Sequence, residues 1–315
     1  MQFAIFRLRR NESCGFFRNE TIAKHDVRHE IKFMKKTKLI LTLILLNTIL
    51  FSCSSDDSSN NSEPEPTTSK LVKTEKISET RKVDYTYNSN DLISSLNGTN
   101  NSFGYNSDFT YNSENRLTEW IYQETGSSSY SDTYVYTYNT NGLLSGYSAN
   151  SEDVTITYNG NTITLTGTIE GDANSQAELE LNNNGLIIKF TESNQYTNFE
   201  YDLNGNLISA QSYDNLDNLL SEFTIQYDDK INPFYGQLES IYIERFIEFF
   251  WEFDGIYIGG FEGYSFPFLK NNITSINEVS AGATTFSYTY DSESYPINVN
   301  VDYSGDTVIF DIEYY

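Results

Sequence analysis

The chain is short of the residues on which much protein chemistry depends, since its 315 residues include two Cys, two His and two Met. Both histidines, His25 and His29, and Cys14 lie in residues 1–33. We interpret Met34 as the true start and residues 1–33 as a wrongly assigned extension, because they lack apolar periodicity and precede a complete secretion signal. The remaining chain has no His and one Cys, which excludes disulfides, Cys/His zinc sites and Ser-His-Asp or Cys-His catalysis.

Basic residues are also scarce after the first 52 positions. Ten of the 20 Lys and Arg precede Cys53, but only four of the 44 Asp and Glu do, so residues 53–315 carry a net charge near −30. Such a charge repels nucleic acid and anionic membrane surfaces. We therefore expect no nucleic-acid partner, and solubility is the simplest role for the charge.

Aromatic residues, in contrast, are abundant, with 25 Tyr and 21 Phe. Tyr, Phe, Thr, Ile and Val favour pleated, half-buried surfaces, and Asn, Ser, Asp and Gly supply the turns between strands. The composition therefore predicts an all-β protein.

Residues 34–52 are predicted to form a lipoprotein signal peptide. A basic region ending at Lys38 precedes the apolar run 39–51, which is shorter than the roughly 20 residues that a transmembrane helix needs. The run ends in Leu-Phe-Ser-Cys53, which resembles a bacterial lipobox. The resemblance implies that Cys53 is acylated, becomes the new N-terminus and anchors the chain in a membrane. An ordinary signal peptide with an incidental Cys is the alternative.

Residues 53–70 are rich in Ser, Asn, Pro and acids and cannot bury a core, so they are predicted to be a flexible tether. The acidic run from Ser54 to Asp57 resembles the surface-export signal of Bacteroidota lipoproteins, and a generic acidic linker is the alternative. These features predict a lipoprotein of the outer membrane that faces the cell surface.

Residues 71–315 are predicted to form a single domain of repeated β-hairpins. In the clearest copy, Phe199 to Ile208, apolar residues alternate with polar ones, and Asn-Gly supplies the positive φ of a tight turn. No hairpin can bury its face alone, so the repeats predict a twisted antiparallel meander that curls into an open or closed barrel-like sheet. Anchor residues recur every 20 to 27 positions, at Tyr87, Tyr111, Tyr138, Tyr158, Leu181, Tyr201 and Tyr227.

The copy at Tyr201–Leu207, Tyr-Asp-x-x-Gly-Asn-Leu, resembles the YD repeats of Rhs and teneurin-type proteins, although the other copies lack its Asp or its Gly. Together with the lipobox, the hairpins, Asn232-Pro233-Phe234 and the closing Tyr288-Thr-Tyr-Asp291, it makes residues 34–315 resemble YD-repeat-like surface lipoproteins of the Bacteroidota. The resemblance implies a β-rich fold and brings no catalytic residue or cofactor.

Residues 231–287 interrupt the repeats. In their apolar first part, Leu238, Tyr242 and Phe246 recur at helical spacing, which favours one helix near 237–251 that plugs the sheet or covers its edge. The β-branched and aromatic content favours strands as the alternative. Gly- and aromatic-rich sequence follows, and loops of this kind suit sugars and peptides, unless the rings fill the core. The candidate ligand-binding residues are Trp251, Tyr257, Phe261 and Tyr264.

No residue set specifies a reaction. The segment Asp202–Asn206 has the outline of a calcium loop but lacks the third ligand before the Gly and the downstream Glu of an EF-hand, so we interpret it as a turn. Several acids cluster in the interruption without a spacing that singles out an acid and a base. These acids are Glu239, Glu244, Glu248, Glu252 and Glu262.

We therefore expect a non-enzymatic, lipid-anchored envelope protein that carries no metal or cofactor and binds a glycan, a peptide or a partner protein. A purely structural envelope component and a carboxylate-only glycan hydrolase are the alternatives.

Overall fold

The computed structural model describes residues 70–126, 129–250, 269–279, 282–303 and 305–315. The first nine strands are β1 (Val72–Ser78), β2 (Arg81–Tyr87), β3 (Ile93–Asn100), β4 (Phe103–Tyr111), β5 (Leu117–Thr125), β6 (Ser131–Tyr138), β7 (Leu144–Ala149), β8 (Glu152–Asn159) and β9 (Thr162–Ile169). The other nine are β10 (Asp172–Leu181), β11 (Ile187–Glu192), β12 (Gln195–Tyr201), β13 (Leu207–Asp214), β14 (Leu219–Ile231), β15 (Asn271–Glu278), β16 (Gly282–Tyr290), β17 (Pro296–Tyr303) and β18 (Asp306–Tyr314). Between β14 and β15, a 3-10 turn at Glu239–Ile241 leads into the α-helix α1 (Tyr242–Phe250).

The sheet is a closed, antiparallel, up-and-down barrel. Each strand pairs with the strands before and after it, and β18 pairs with β1. At this seam, Val72 lies opposite Tyr314 and Lys76 lies opposite Asp311. Closure gives every strand two neighbours and so covers the edges to which another chain can add. The prediction of an all-β meander is confirmed, the barrel is closed rather than open, and the helix expected near 237–251 is present.

The meander gives the barrel two different ends. One end, here called the Asx-loop end, carries the loops that follow the even-numbered strands, and Lys70 and Tyr315 lie there as well. The opposite end carries the loops that follow the odd-numbered strands. The interruption expected at 231–287 contains β15 and part of β16, so the connection between β14 and β15 spans residues 232–270.

Side chains alternate between the inside and the outside of the barrel. In β2, Val83 and Tyr85 are buried and Thr86 is exposed, and in β10 Leu179 is buried and Glu178 is exposed. A transmembrane barrel has the reverse arrangement, with an apolar outer band and a polar lumen. The outer surface of this barrel therefore suits water rather than lipid.

An Asn or Asp side chain organises six of the eight loops of the Asx-loop end. In the loop after β2, Asn88 Oδ1 accepts hydrogen bonds from the backbone N–H groups of Asn90, at 2.9 Å, and Leu92, at 3.2 Å. The residue between them, Asp91, has a φ of 59°, and Gly142 and Gly185 take this left-handed position in later loops. The same double acceptance occurs at Asn112, Asn139, Asn182, Asp202 and Asp291.

A β-bulge follows most of these loops, and the hydroxyl of a tyrosine in the next hairpin donates a hydrogen bond to the backbone carbonyl of the bulge. Between β12 and β13 the register shifts, so that Tyr201 lies opposite Leu207, and the bulge leaves the Leu207 carbonyl available. The hydroxyl of Tyr227, on β14, donates to that carbonyl at 2.6 Å. Within the described residues this bond occurs seven times, for the pairs Tyr111–Ile93, Tyr138–Leu117, Tyr158–Leu144, Tyr201–Ile187, Tyr227–Leu207, Tyr288–Ile273 and Tyr314–Pro296.

Among the hairpins of the Asx-loop end, the one without a bulge shows that the bulge and the tyrosine occur together. Strands β8 and β9 pair in continuous register as far as Asn159 and Thr162 through a two-residue turn. No bulge carbonyl is therefore presented at Ile163. The next hairpin has Leu181 at the position where the other hairpins have tyrosine, so the hydroxyl is missing where it has no acceptor.

The bulge bond predicts a measurable loss of stability when one hydroxyl is removed. Tyr227→Phe leaves the Leu207 carbonyl without its donor, so we expect the free energy of unfolding to fall by about 1–2 kcal/mol in urea denaturation. Tyr235→Phe is the control, because Tyr235 is 50% exposed in the loop after β14, and it is expected to change stability by less than about 0.5 kcal/mol. Equal stability of the two variants would contradict the role given to the bond.

Candidate acidic site inside the barrel

Helix α1 enters the barrel from the Asx-loop end, where two bulge residues hold its start. The N–H group of Ile93 donates to Gln237 Oε1 at 2.8 Å, and the N–H group of Leu117 donates to Ser240 Oγ at 3.0 Å. The Gln237 amide also donates to the Asp91 carbonyl at 3.0 Å. The residues that begin β3 and β5 thus bond to tyrosines through their carbonyls and to the segment leading into α1 through their N–H groups.

The helix packs against strands on both sides of the interior. Phe246 is fully buried and meets Phe199 of β12 edge-on, with ring centroids 4.8 Å apart. Arg245 lies 4.7 Å from the ring of Trp120 in β5, at a distance suited to a cation–π contact. Contacts with well-separated strands place α1 within the barrel, so it is a plug and does not cover a sheet edge.

The plug brings an ion pair into the core. Arg245 Nε donates to Glu244 Oε2 at 2.8 Å, and the exposed fractions of these residues are 6% and 2%. Burial raises the pKa of the Glu244 carboxyl, and the charge of Arg245 offsets part of that rise. The pair is therefore held in a setting where either charge alone would be strongly unfavourable.

Three more carboxyl groups meet one turn further along α1. They belong to Glu152 at the start of β8, Glu170 in the turn between β9 and β10, and Glu248 of α1, and one oxygen of each lies within 4.8 Å of the others. We call these three residues the acidic cluster. Glu152 is buried, and the other two are half-buried. Burial, followed by the charge of Glu248 and a hydrogen bond with it, raises the pKa of Glu170 well above its usual range.

Aromatic side chains of β5 to β7 lie beside the acidic cluster. Trp120 stacks on Tyr134 with a centroid separation of 5.2 Å, and Tyr136 and Tyr147 continue the row at 6.5 Å. Burial raises the pKa of Tyr147 well above its usual value, and the charge of Glu152 is the next cause. The phenols therefore remain protonated donors that line the acidic cluster.

The acidic cluster can act chemically in two ways. The Glu170 carboxyl, whose pKa is raised, is able to share a proton with Glu248 or to serve as a general acid. Three carboxylates from separate segments are also typical ligands of a hard divalent cation.

The candidate site agrees only in part with the one expected from the sequence. Of the expected acidic group, Glu248 belongs to the cluster, Glu244 is paired with Arg245 and Glu239 is exposed. Sequence reasoning missed Glu152 and Glu170. A signal for Glu152 did exist, because it occupies the inward position of a strand whose next inward residues are apolar. The expected ligand-binding residues Trp251, Tyr257, Phe261 and Tyr264, and the expected lipid attachment residue Cys53, lie outside the described residues.

Comparison with known proteins gives the chain no family. No family model and no curated protein matches it. Crystal structures of porin-like proteins from Bacteroides uniformis and Bacteroides vulgatus are similar to this chain, with TM-scores of 0.35 and 0.34 and sequence identities of 12% and 13%. Each match covers 78% of this chain, and the matches cover 96% and 99% of the two porin-like chains. The crystal structure of TcdB2-TccC3-TEV is similar with a TM-score of 0.27 and 7% identity over 72% of this chain and 16% of that one. Likeness at this level assigns no function.

In the part of the chain that the structure describes, no helix combines the length and the apolar character needed to cross a membrane.

The buried ion pair predicts a strong asymmetry between single and double substitutions. Arg245→Met leaves the Glu244 carboxyl buried without its partner, so we expect a loss of about 3–5 kcal/mol in the free energy of unfolding. The double variant Glu244→Gln/Arg245→Met removes both charges and is expected to recover most of that loss in urea denaturation.

The control for this prediction is Lys82→Met, which breaks the exposed contact of Lys82 with Asp84 on the outer face of β2. Its effect is expected to stay below about 1 kcal/mol. A double variant no more stable than Arg245→Met would show that the ion pair is not the cause of the loss.

Proposed function

We propose that the protein is a lipid-anchored, water-facing protein of the cell envelope that binds a glycan, a peptide or a partner protein and is neither a pore nor an enzyme. The single observation that carries this proposal is the polarity of the barrel. Its outer face is mostly polar, and its interior is occupied by apolar side chains and by α1. A pore needs a polar lumen open to water, and a spanning barrel needs an apolar exterior.

The sequence supplies the link to the membrane. Cys53 is the proposed site of lipid attachment, and 16 residues separate it from Lys70, the first described residue of the barrel. A fully extended segment of that length spans at most about 55 Å. Since Lys70 lies at the Asx-loop end, we propose that this end faces the membrane and the opposite end faces outward.

Binding is proposed to involve the aromatic residues of the connection between β14 and β15. Trp251, Tyr257, Phe261 and Tyr264 offer ring faces of the kind that pack on sugars and peptides. The strongly acidic chain disfavours nucleic acid as the ligand.

A carboxylate-only glycan hydrolase is the second candidate, and the acidic cluster is the observation that favours it. Its fit is poorer, because paired carboxyls in glycosidases lie about 5–5.5 Å apart in retaining enzymes and about 6.5–9.5 Å apart in inverting enzymes. Here three carboxyl groups meet, with one oxygen of each within 4.8 Å of the others and Glu152 buried, so no pair is set apart as acid and nucleophile.

The anchor can be tested by cell fractionation. Cys53→Ala is expected to move the protein from the membrane to the soluble fraction, because the outer face of the barrel gives it no other affinity for lipid. Ser59→Ala is the matched control and is expected to leave the protein in the membrane fraction, since Ser59 lies in the predicted tether and has no thiol to acylate. Retention of Cys53→Ala in washed membranes would refute the anchor and favour a barrel embedded in lipid. Protease treatment of intact cells then tests whether the wild-type barrel faces outward.

The binding role can be tested with a glycan and peptide array. The double variant Trp251→Ala/Tyr257→Ala is expected to lose binding by at least about tenfold while its unfolding temperature stays within a few degrees of the wild type, as expected of side chains outside the core. Tyr235→Ala, at an exposed ring elsewhere in the same connection, is the control and is expected to keep full binding. Unfolding of the double variant would place the rings in the core and contradict the proposal.

A further inference from the structure

The acidic cluster gathers charge from three parts of the fold that are distant in sequence. Glu152 begins β8, Glu170 lies in the turn before β10, and Glu248 lies on α1. Ionised carboxylates this close repel one another, and burial in a medium of low dielectric strengthens that repulsion. The guanidinium that lies closest along the helix, Arg245, already pairs with Glu244. A cation bound among the three carboxylates would relieve that repulsion.

A buried hydroxyl beside the cluster provides independent evidence for a ligand. Tyr147 is 3% exposed, and its hydroxyl makes no hydrogen bond within the part of the chain that the structure describes. Tyr147 lies opposite Val154 on the neighbouring strand, which makes it the diagonal neighbour of the inward-pointing Glu152. Buried hydroxyl groups in native proteins nearly always have a partner, and a ligand held by the neighbouring carboxylates would supply one for Tyr147.

We infer that the acidic cluster binds one divalent cation, Ca²⁺ in preference to Mg²⁺, through Glu152, Glu170 and Glu248. The carboxylate oxygens are the hard ligands that both ions prefer. Since one oxygen of each residue lies within 4.8 Å of the others, a single cation with Ca–O distances of about 2.3–2.6 Å is able to contact all three. Mg²⁺, with bonds of about 2.0–2.1 Å, requires a tighter arrangement. A water molecule bound to the ion would accept a hydrogen bond from the Tyr147 hydroxyl.

The proposed ion ties the plug to the wall of the barrel. The start of α1 is held at the Asx-loop end by Ile93 and Leu117, whereas Glu248 lies in its last turn. A cation shared with β8 and the β9–β10 turn fixes that second point. Calcium is thus expected to stabilise the folded barrel rather than to take part in a reaction.

The test is calcium titration of the purified whole chain after removal of metals with EDTA. Calorimetry is expected to show one Ca²⁺ per chain, and Ca²⁺ at about 100 times its dissociation constant is expected to raise the unfolding temperature by about 5 °C or more. Mg²⁺ at the same concentration is expected to give a smaller shift. Glu170→Gln and Glu248→Gln, which keep the side-chain shape and remove a ligand charge, are each expected to weaken Ca²⁺ binding at least about tenfold.

Glu178→Gln is the matched control, because Glu178 is exposed on the outer face of β10, and it is expected to bind Ca²⁺ as the wild type does. The inference is overturned if the wild-type chain shows neither heat nor a temperature shift with Ca²⁺. It is also overturned if both cluster variants keep the full shift, which would place the ion elsewhere on this acidic chain. A negative wild-type titration overturns the inference even if a variant fails to fold, and the result is independent of the lipid anchor.

Discussion

The hydrogen bond from a tyrosine hydroxyl to the bulge carbonyl of the preceding hairpin is the interaction on which the barrel depends. Each such bond joins one hairpin to the one before it, so seven of them run around the described sheet in a single direction. Burial raises the pKa of Tyr158 to about 12, so its hydroxyl remains a donor at any physiological pH. The bulges bend and twist the strands, as closure requires, and the tyrosines satisfy the carbonyls that bending leaves open.

Each repeat therefore pairs two sequence positions: the tyrosine of one hairpin and the bulge residue of the preceding hairpin, whose carbonyl accepts the hydrogen bond. Leu181 makes this visible, because it replaces tyrosine where the preceding hairpin has no bulge. At the closing seam, Tyr314 bonds to Pro296, a residue that suits the start of a strand because it has no N–H to offer the ladder, and Tyr315 bonds to the Tyr85 carbonyl at 2.6 Å. The last two residues thus complete the ring as the internal repeats do, by tyrosine hydroxyls on backbone carbonyls.

Much of this fold could be predicted from the sequence, because the hairpin signal is local. Alternation in segments such as Phe199–Tyr201 gives the strands and their buried face, and the helical spacing of Leu238, Tyr242 and Phe246 gives α1. Closure could not be predicted, since the pairing of β1 with β18 joins the two ends of the domain and depends on curvature summed over all the strands. The acidic cluster was missed for a similar reason, because Glu152, Glu170 and Glu248 become neighbours only when α1 lies inside a closed ring.

The width of the barrel explains why charged groups lie in its centre at all. A barrel of eight strands can fill itself with side chains, whereas 16 to 18 strands normally enclose a channel. Here the inward faces of the strands are apolar, so a water-filled interior would be unfavourable. Large inward rings such as Tyr85 and Phe190 still leave room for a helix. A nine-residue helix presents side chains on all its faces, and Glu244, Arg245 and Glu248 enter the barrel with it. Arg245 neutralises the first of these acids, and the second lies beside Glu152 and Glu170, so the plug that fills the barrel also creates its one described cluster of three carboxyls.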